Sequence, residues 1–280
     1  MAIGIVLALI VTSGALAQWG GFFSAGQKQN KIGGGEVVPA SLLPGSPAKE
    51  FVYAGSRLIA TEEPISGANG YFSLSLNGTT AYVNVPNSTS LNITGAITVE
   101  AWIKTNSATA QQSIIERYRT TGVGTINGGY ALRLSGGYLQ FFTLRNGNEF
   151  DFIQSVSTVS TGVWHHVAGV FDGNQLRLYL DGVLNTLKAS TFAPVTGTNS
   201  LKVGGRGDDA AATFSGLIDE ARVTAAAVYS TNFTPQSHLS SVTGTKGLWK
   251  FDDQTANDTS GNSNNGALLN GATFSSDTPN

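Results

Sequence analysis

The chain has 280 residues, no cysteine and a formal net charge of −2, and only 12% of it is charged where globular proteins average about 25%. So few cations leave no electrostatic footprint for nucleic acid or for an anionic membrane surface. The missing cysteine excludes disulfides, thiolate catalysis and cysteine-ligated zinc.

Residues 1–17 open with an apolar run from Met1 to Val11 and close on Ala15-Leu16-Ala17, an Ala-x-Ala of the kind signal peptidase accepts. The run is about half the 20 or so residues that span a bilayer. A secretory signal peptide is the first reading. No Lys or Arg precedes the run, so a retained apolar helix, serving as anchor or assembly core, is the alternative. That layout is also pilin-like, but the residue at position 5 is Ile5 and not the glutamate such subunits carry.

Residues 18–65 read as a linker, with Gly33-Gly34-Gly35, Pro39, Pro44, Pro47 and Pro64 and no sustained period. A strand-like island at 50–63 predicts a short hairpin leaning on the domain that follows.

From Ser66 the pattern changes to short alternating runs between turn residues. Twelve of them are predicted, from Tyr71–Asn77 through Ile97–Thr105, Tyr138–Arg145 and Glu149–Val156 to Thr213–Val223. None has a helical period, which predicts an all-β, two-sheet antiparallel sandwich over 66–274 with a tail at 275–280. Ile97–Thr105 shows the alternation, with Val99, Ala101 and Ile103 on one face and Glu100, Trp102 and Lys104 on the other. From Trp164 to Gly182, two strands flank Asp172-Gly173-Asn174, whose residues tolerate the positive φ of tight hairpins.

That hairpin resembles the laminin-G-like, pentraxin-like jelly-roll domains of the concanavalin A-type lectin fold. Leu76–Pro86 is similar to the family's first strand pair, Ile97–Lys104 to the strand that follows, and Phe214–Val223 to its closing strand. The resemblance implies a jelly roll and a domain that binds and does not catalyse. Gly247–Asp253 and Asp258–Leu268 also look like a family element. Region 246–274 either completes its own sandwich, starts a truncated second copy or pairs with a neighbouring molecule.

Several residues invite chemistry. Glu149-x-Asp151-x-x-Gln154 is close to the Glu-x-Asp-x-x-Glu of retaining glucanases on the same fold, whose glutamates lie about 5–5.5 Å apart. Gln154 stands where the acid/base is needed, and an amide cannot donate and recover a proton. His165 and His166 are adjacent in a strand and so point to opposite faces, which prevents their meeting on one metal. Arg206-Gly207-Asp208 spells a tripeptide that integrins read, and Asn77, Asn87, Asn92, Asn232 and Asn257 each begin a glycosylation sequon; chance in so Gly-, Ser- and Thr-rich a chain accounts for both.

The resemblance implies calcium as cofactor, bound by Asp219 in the closing strand with main-chain oxygens at Asn77 and Gly78. Calcium takes many of its oxygens from carbonyls and leaves little sequence signature. The other reading is that Asp219 caps a turn or pairs with Arg222. For ligand binding, position on loops suggests Tyr118, Arg119 and Arg145. The expected function is an exported, non-catalytic recognition or adhesion module, with a glycan or a cell-surface protein as partner. A structural subunit of a filament or coat, self-associating through the N-terminal segment or the C-terminal strand, is the alternative. An inactive or atypical glycoside hydrolase-like domain comes third.

Overall fold

The computed structural model describes residues 50–54, 57–62, 70–121, 125–147, 149–206 and 212–279. Residues 1–17, the linker up to residue 49, and Gly207 and Asp208 lie outside them. The island expected at 50–63 forms an antiparallel hairpin of β1 (Glu50–Ala54) and β2 (Arg57–Glu62).

The second unit begins at Gly70. Its strands are β3 (Ser73–Asn77), β4 (Tyr82–Val85), β5 (Ile97–Thr105), β6 (Gln112–Thr121), β7 (Thr125–Ser135), β8 (Tyr138–Leu144), β9 (Phe150–Thr158) and β10 (His165–Phe171). They continue with β11 (Gln175–Leu180), β12 (Val183–Ala189), β13 (Leu201–Val203), β14 (Ser215–Thr224), β15 (Thr245–Trp249), β16 (Ala267–Leu269) and β17 (Thr273–Ser275). One sheet runs β12-β11-β10-β5-β14-β3-β17 with β15 also on β14, and the other runs β16-β4-β13-β6-β7-β8-β9. The two sheets form an all-β antiparallel jelly-roll sandwich. Among the described residues no helix is long and apolar enough to cross a membrane.

Alternation decides what faces the core. Val99, Ala101 and Ile103 of β5 are fully buried in it, together with Leu176 and Leu178 of β11 and Leu132, Leu134, Leu139 and Phe141 of β7 and β8. The β11–β12 turn has the geometry its sequence predicts, with φ of 51° at Asp181 and 76° at Gly182, the paired positive values of a tight hairpin. Region 246–274 packs within its own chain: β15 pairs with β14, β16 with β4 and β17 with β3. Trp249 anchors it, buried in the core and donating its indole N–H to the Asn264 carbonyl at 2.9 Å.

The outer face of the eight-stranded sheet is covered by the chain itself. Tyr229 and Phe233 stack on each other, 3.6 Å between ring centroids, and pack on Ala168, Val170 and Tyr179. Beneath them Glu100 is buried and saturated: Arg222 donates to its Oε1 from two nitrogens at 2.9 and 2.8 Å, and Tyr229 to its Oε2 at 2.7 Å. His166 lies 3.2 Å from Oε2. Burial alone would raise the Glu100 pKa, but the His166 hydrogen bond and the Arg222 charge outweigh it and hold the carboxyl below its usual range.

An aromatic platform as the candidate functional site

With that face closed, the outer face of the seven-stranded sheet becomes the surface to read. Strand register places its side chains in rows. One row crosses the sheet through Asn84, Lys202, Glu116, Ala131, Phe142 and Phe152, each paired with the next. The adjoining row is Ser113, Arg133, Gln140 and Gln154.

At the β9 end this face is aromatic. Phe142 and Phe152 stack nearly parallel, 4.9 Å apart at 11°, and Phe150 leans on both at 6.0 and 6.2 Å. Phe142 is buried, whereas Phe150 is 49% and Phe152 39% exposed. Tyr118, Ala131 and Leu144 pack with Phe142 as the floor of the cluster. Alternation explains the exposure: in β9, Ile153 and Ser155 turn inward, so Phe150, Phe152, Gln154 and Val156 must turn out.

Amides border the rings. Arg133 lays its guanidinium 4.1 Å above the Phe142 ring and donates Nε to Gln140 Oε1 at 3.1 Å. Gln140 in turn donates Nε2 to Gln154 Oε1 at 2.7 Å. The chain of bonds runs one way and ends on the exposed Gln154 amide nitrogen. An exposed aromatic cluster edged by fixed polar groups is the chemistry that holds an amphipathic ring.

β9 is also a sheet edge, and side chains cover three of its backbone groups. Val156 donates its N–H to Asn185 Oδ1 at 2.8 Å, and the Phe152 carbonyl accepts from Lys188 Nζ at 3.3 Å. The Phe152 N–H is capped by Asp151 Oδ1 at 2.9 Å. Asp151 also pairs with Lys188. Asp151 and Gln154 therefore point to opposite faces, and the acidic motif read in the sequence does not converge.

The residues singled out by position are dispersed. Tyr118 belongs to the platform as a buried floor residue. Arg119 lies opposite Asn127 in β6, and its side chain is outside the described residues. Arg145 stacks over Phe192 at 4.1 Å and donates to the Ala193 carbonyl at 3.3 Å, so it braces the 192–193 segment. His165 contacts Asp181 and Ser160, while His166 turns to Glu100 on the other face.

The positions expected to hold calcium do not meet. Asn77 pairs with Ser215 in β14, and Asp219 stands four residues further along, about 13 Å at the rise of a strand. Asn77 Oδ1 already accepts the N–H groups of Thr79, Thr80 and Ala81 at 2.9, 2.9 and 3.0 Å. Gly78 takes the positive φ this turn needs, and a Cβ there would lie 2.7 Å from Ser215 Cβ. Asp219 does not pair with Arg222, which Glu100 holds; its Oδ1 accepts the Glu220 N–H at 2.8 Å. Burial, then the neighbouring Glu220 charge, push Asp219 up to about 9, and burial pushes Glu220 up to about 8. Among the described residues no three His, Asp or Glu side chains are grouped to hold a metal.

Sequence reading missed Phe142, Phe150, Phe152, Arg133 and Gln140. The signal was present in Phe150-x-Phe152-x-Gln154-x-Val156, an alternating set opposite the inward Ile153.

No curated protein matches this sequence. A crystal structure of a Bacteroides ovatus protein described as a candidate carbohydrate-binding protein superposes with a TM-score of 0.55 at 17% identity. The match covers 73% of this chain but 59% of that one, so this chain spans less than two thirds of that protein's length. A heptameric SAP-like pentraxin from Limulus polyphemus matches at 13% identity and TM-score 0.47, over 73% of this chain and 94% of its own. The CBM40 module of the Ruminococcus gnavus IT-sialidase, bound to α2,3-sialyllactose, matches at 20% identity and TM-score 0.45, over 55% and 92%. A laminin-G-type sequence profile matches residues 77–232, more than half of the chain. The chain therefore belongs to the concanavalin A-like lectin/glucanases superfamily, in its laminin-G-like branch.

Proposed function

We propose that this domain is a non-catalytic glycan-binding module of an exported or cell-surface protein, and that it binds through the outer face of β7, β8 and β9. One observation carries the reading: Phe150 and Phe152 stand exposed on the Phe142 ring beside the Gln140–Gln154 amide chain. Sugars present an apolar C–H face and a polar rim of hydroxyls, and this surface offers the complement of both. The superfamily includes lectins, and the Bacteroides ovatus relative is described in terms of carbohydrate. Both agree with a reading that rests on these residues. Asp151 held by Lys188 and an amide at Gln154 supply no acid/base pair, which favours binding over cleavage. Export is the natural setting for residues 1–17 read as a signal segment.

A glycan array probed with the intact protein and with Phe152→Ala tests this reading. The wild type is expected to retain a defined subset of glycans that the variant loses, both proteins melting within a few degrees of each other. Equal retention by the variant would move the site elsewhere.

A further inference from the structure

Arg133 is held from two sides and is left without an anion. Its guanidinium stacks on Phe142 and its Nε is committed to Gln140, yet among the described residues no carboxylate pairs with it and its two terminal nitrogens have no protein partner. The acidic residues nearby face elsewhere. Glu116 lies on the neighbouring row with Lys202 as its cross-strand partner, Asp151 turns to Lys188, and Glu149 stands at the far end of β9. An arginine half-buried on an aromatic ring and oriented by a hydrogen bond has already lost much of its rotamer freedom. Its open fork suits an oxyanion bidentately.

The amide chain points the same way. Arg133 donates to Gln140 and Gln140 donates to Gln154, so the groups left over at the platform's edge are donors: the Gln154 amide hydrogens and the arginine fork. Phe152 and Gln154 are two residues apart on one face of β9, about 7 Å, close to the width of one pyranose ring.

Building on the glycan-binding reading, we infer that the ligand is an acidic sugar. Its apolar face lies on Phe152 and Phe150, and its carboxylate or sulfate is taken by Arg133 and Gln154.

The test is binding of the intact protein to matched glycans: neutral oligosaccharides alongside the same backbones bearing uronate, sialyl or sulfate groups. The wild type should prefer acidic members by about tenfold, the size of one charge-assisted contact, and more weakly at high salt. The uronate, sialyl and sulfate arms report which oxyanion is preferred. Arg133→Gln should bring the preference to near unity while retaining residual binding. Gln154→Glu, an exposed change that leaves Arg133 in place, should weaken binding of the acidic members by a larger factor than that of the neutral ones. Equal binding of neutral and acidic partners, or an unchanged preference in Arg133→Gln, would overturn the acidic ligand while glycan binding stood. No retention of any glycan would overturn both.

Discussion

The Arg133 guanidinium lies 4.1 Å above the Phe142 ring while its Nε donates to Gln140 at 3.1 Å. Two constraints on one flexible side chain fix a charge at the rim of an aromatic surface. The opposite sheet handles its charges differently: Arg222 is covered and paired, and the aromatics above it, Tyr229 and Phe233, close the surface. The two outer faces thus differ, one covered by Tyr229 and Phe233 and the other leaving Phe150 and Phe152 exposed.

Arg222→Ala tests the closed face. It leaves the Glu100 carboxylate buried without its guanidinium, and breaking such a pair costs about 3–5 kcal/mol. Urea unfolding should show a lower midpoint at little-changed slope, the product of the two giving that loss. Replacing the pair together, Glu100→Gln with Arg222→Met, should cost less than Arg222→Ala alone. A loss under 1 kcal/mol in the single variant would mean that Glu100 ionisation is not held by Arg222.

Acidity gives a second expectation. Asp219 and Glu220 hold protons in the folded state up to about 9 and about 8, well above the ordinary values of 3.8 and 4.5. Between those limits the folded protein binds more protons than the unfolded chain. Their contribution is therefore fully present below pH 4 or so and is lost as pH rises towards 9. Lys250, Asp252 and His238 surround the pair, and Asp252 is raised in the same direction, chiefly by burial. Glu100, held low, contributes the opposite slope in acid. Melting temperature should peak at mildly acidic pH and fall towards pH 9, and Asp219→Asn should flatten the alkaline side. A melting temperature that rises from pH 6 to pH 9 would contradict these protonation states.

Much of this was legible in the sequence. Strand β5 (Ile97–Thr105) and strand β11 (Gln175–Leu180) fall where strict alternation places them, because one buried face leaves register no freedom. The turn at Asp181-Gly182 follows from the two residues that tolerate its angles. The site was less legible. Phe150 and Phe152 are apolar like core residues, and only the inward position of Ile153, next to Phe152, shows that they face solvent. Arg133 and Gln140 lie seven residues apart on adjacent strands, and only the β7–β8 register makes them a pair. Segment 225–244 has no period at all, so nothing in its sequence announces that it roofs a sheet.

Strand β12 shields the β9 edge through Asn185 and Lys188. Free edges template pairing with other chains, so Asn185→Ala combined with Lys188→Ala should promote self-association. Light scattering across a concentration series should show the wild type unchanged and the double variant growing. An equally monodisperse variant would show that the shielding is not needed.

Calcium provides a direct check on Asp219. Because Asp219 lies far along β14 from Asn77 and Gly78, calcium should leave the melting temperature unchanged relative to a chelator. A rise of several degrees that Asp219→Asn removes would restore Asp219 as a ligand.

The proposed sugar-binding surface is the outer face of β7, β8 and β9. Nuclear magnetic resonance with selectively labelled side chains, titrated with a retained glycan, tests it most directly. The Phe150 and Phe152 rings and the Gln154 amide are expected to shift together and saturably, while the half-buried Tyr229 and Phe233 rings on the opposite face do not move. Shifts confined to the 190–195 segment around Phe192 and Arg145, with the β9 rings unperturbed, would contradict it.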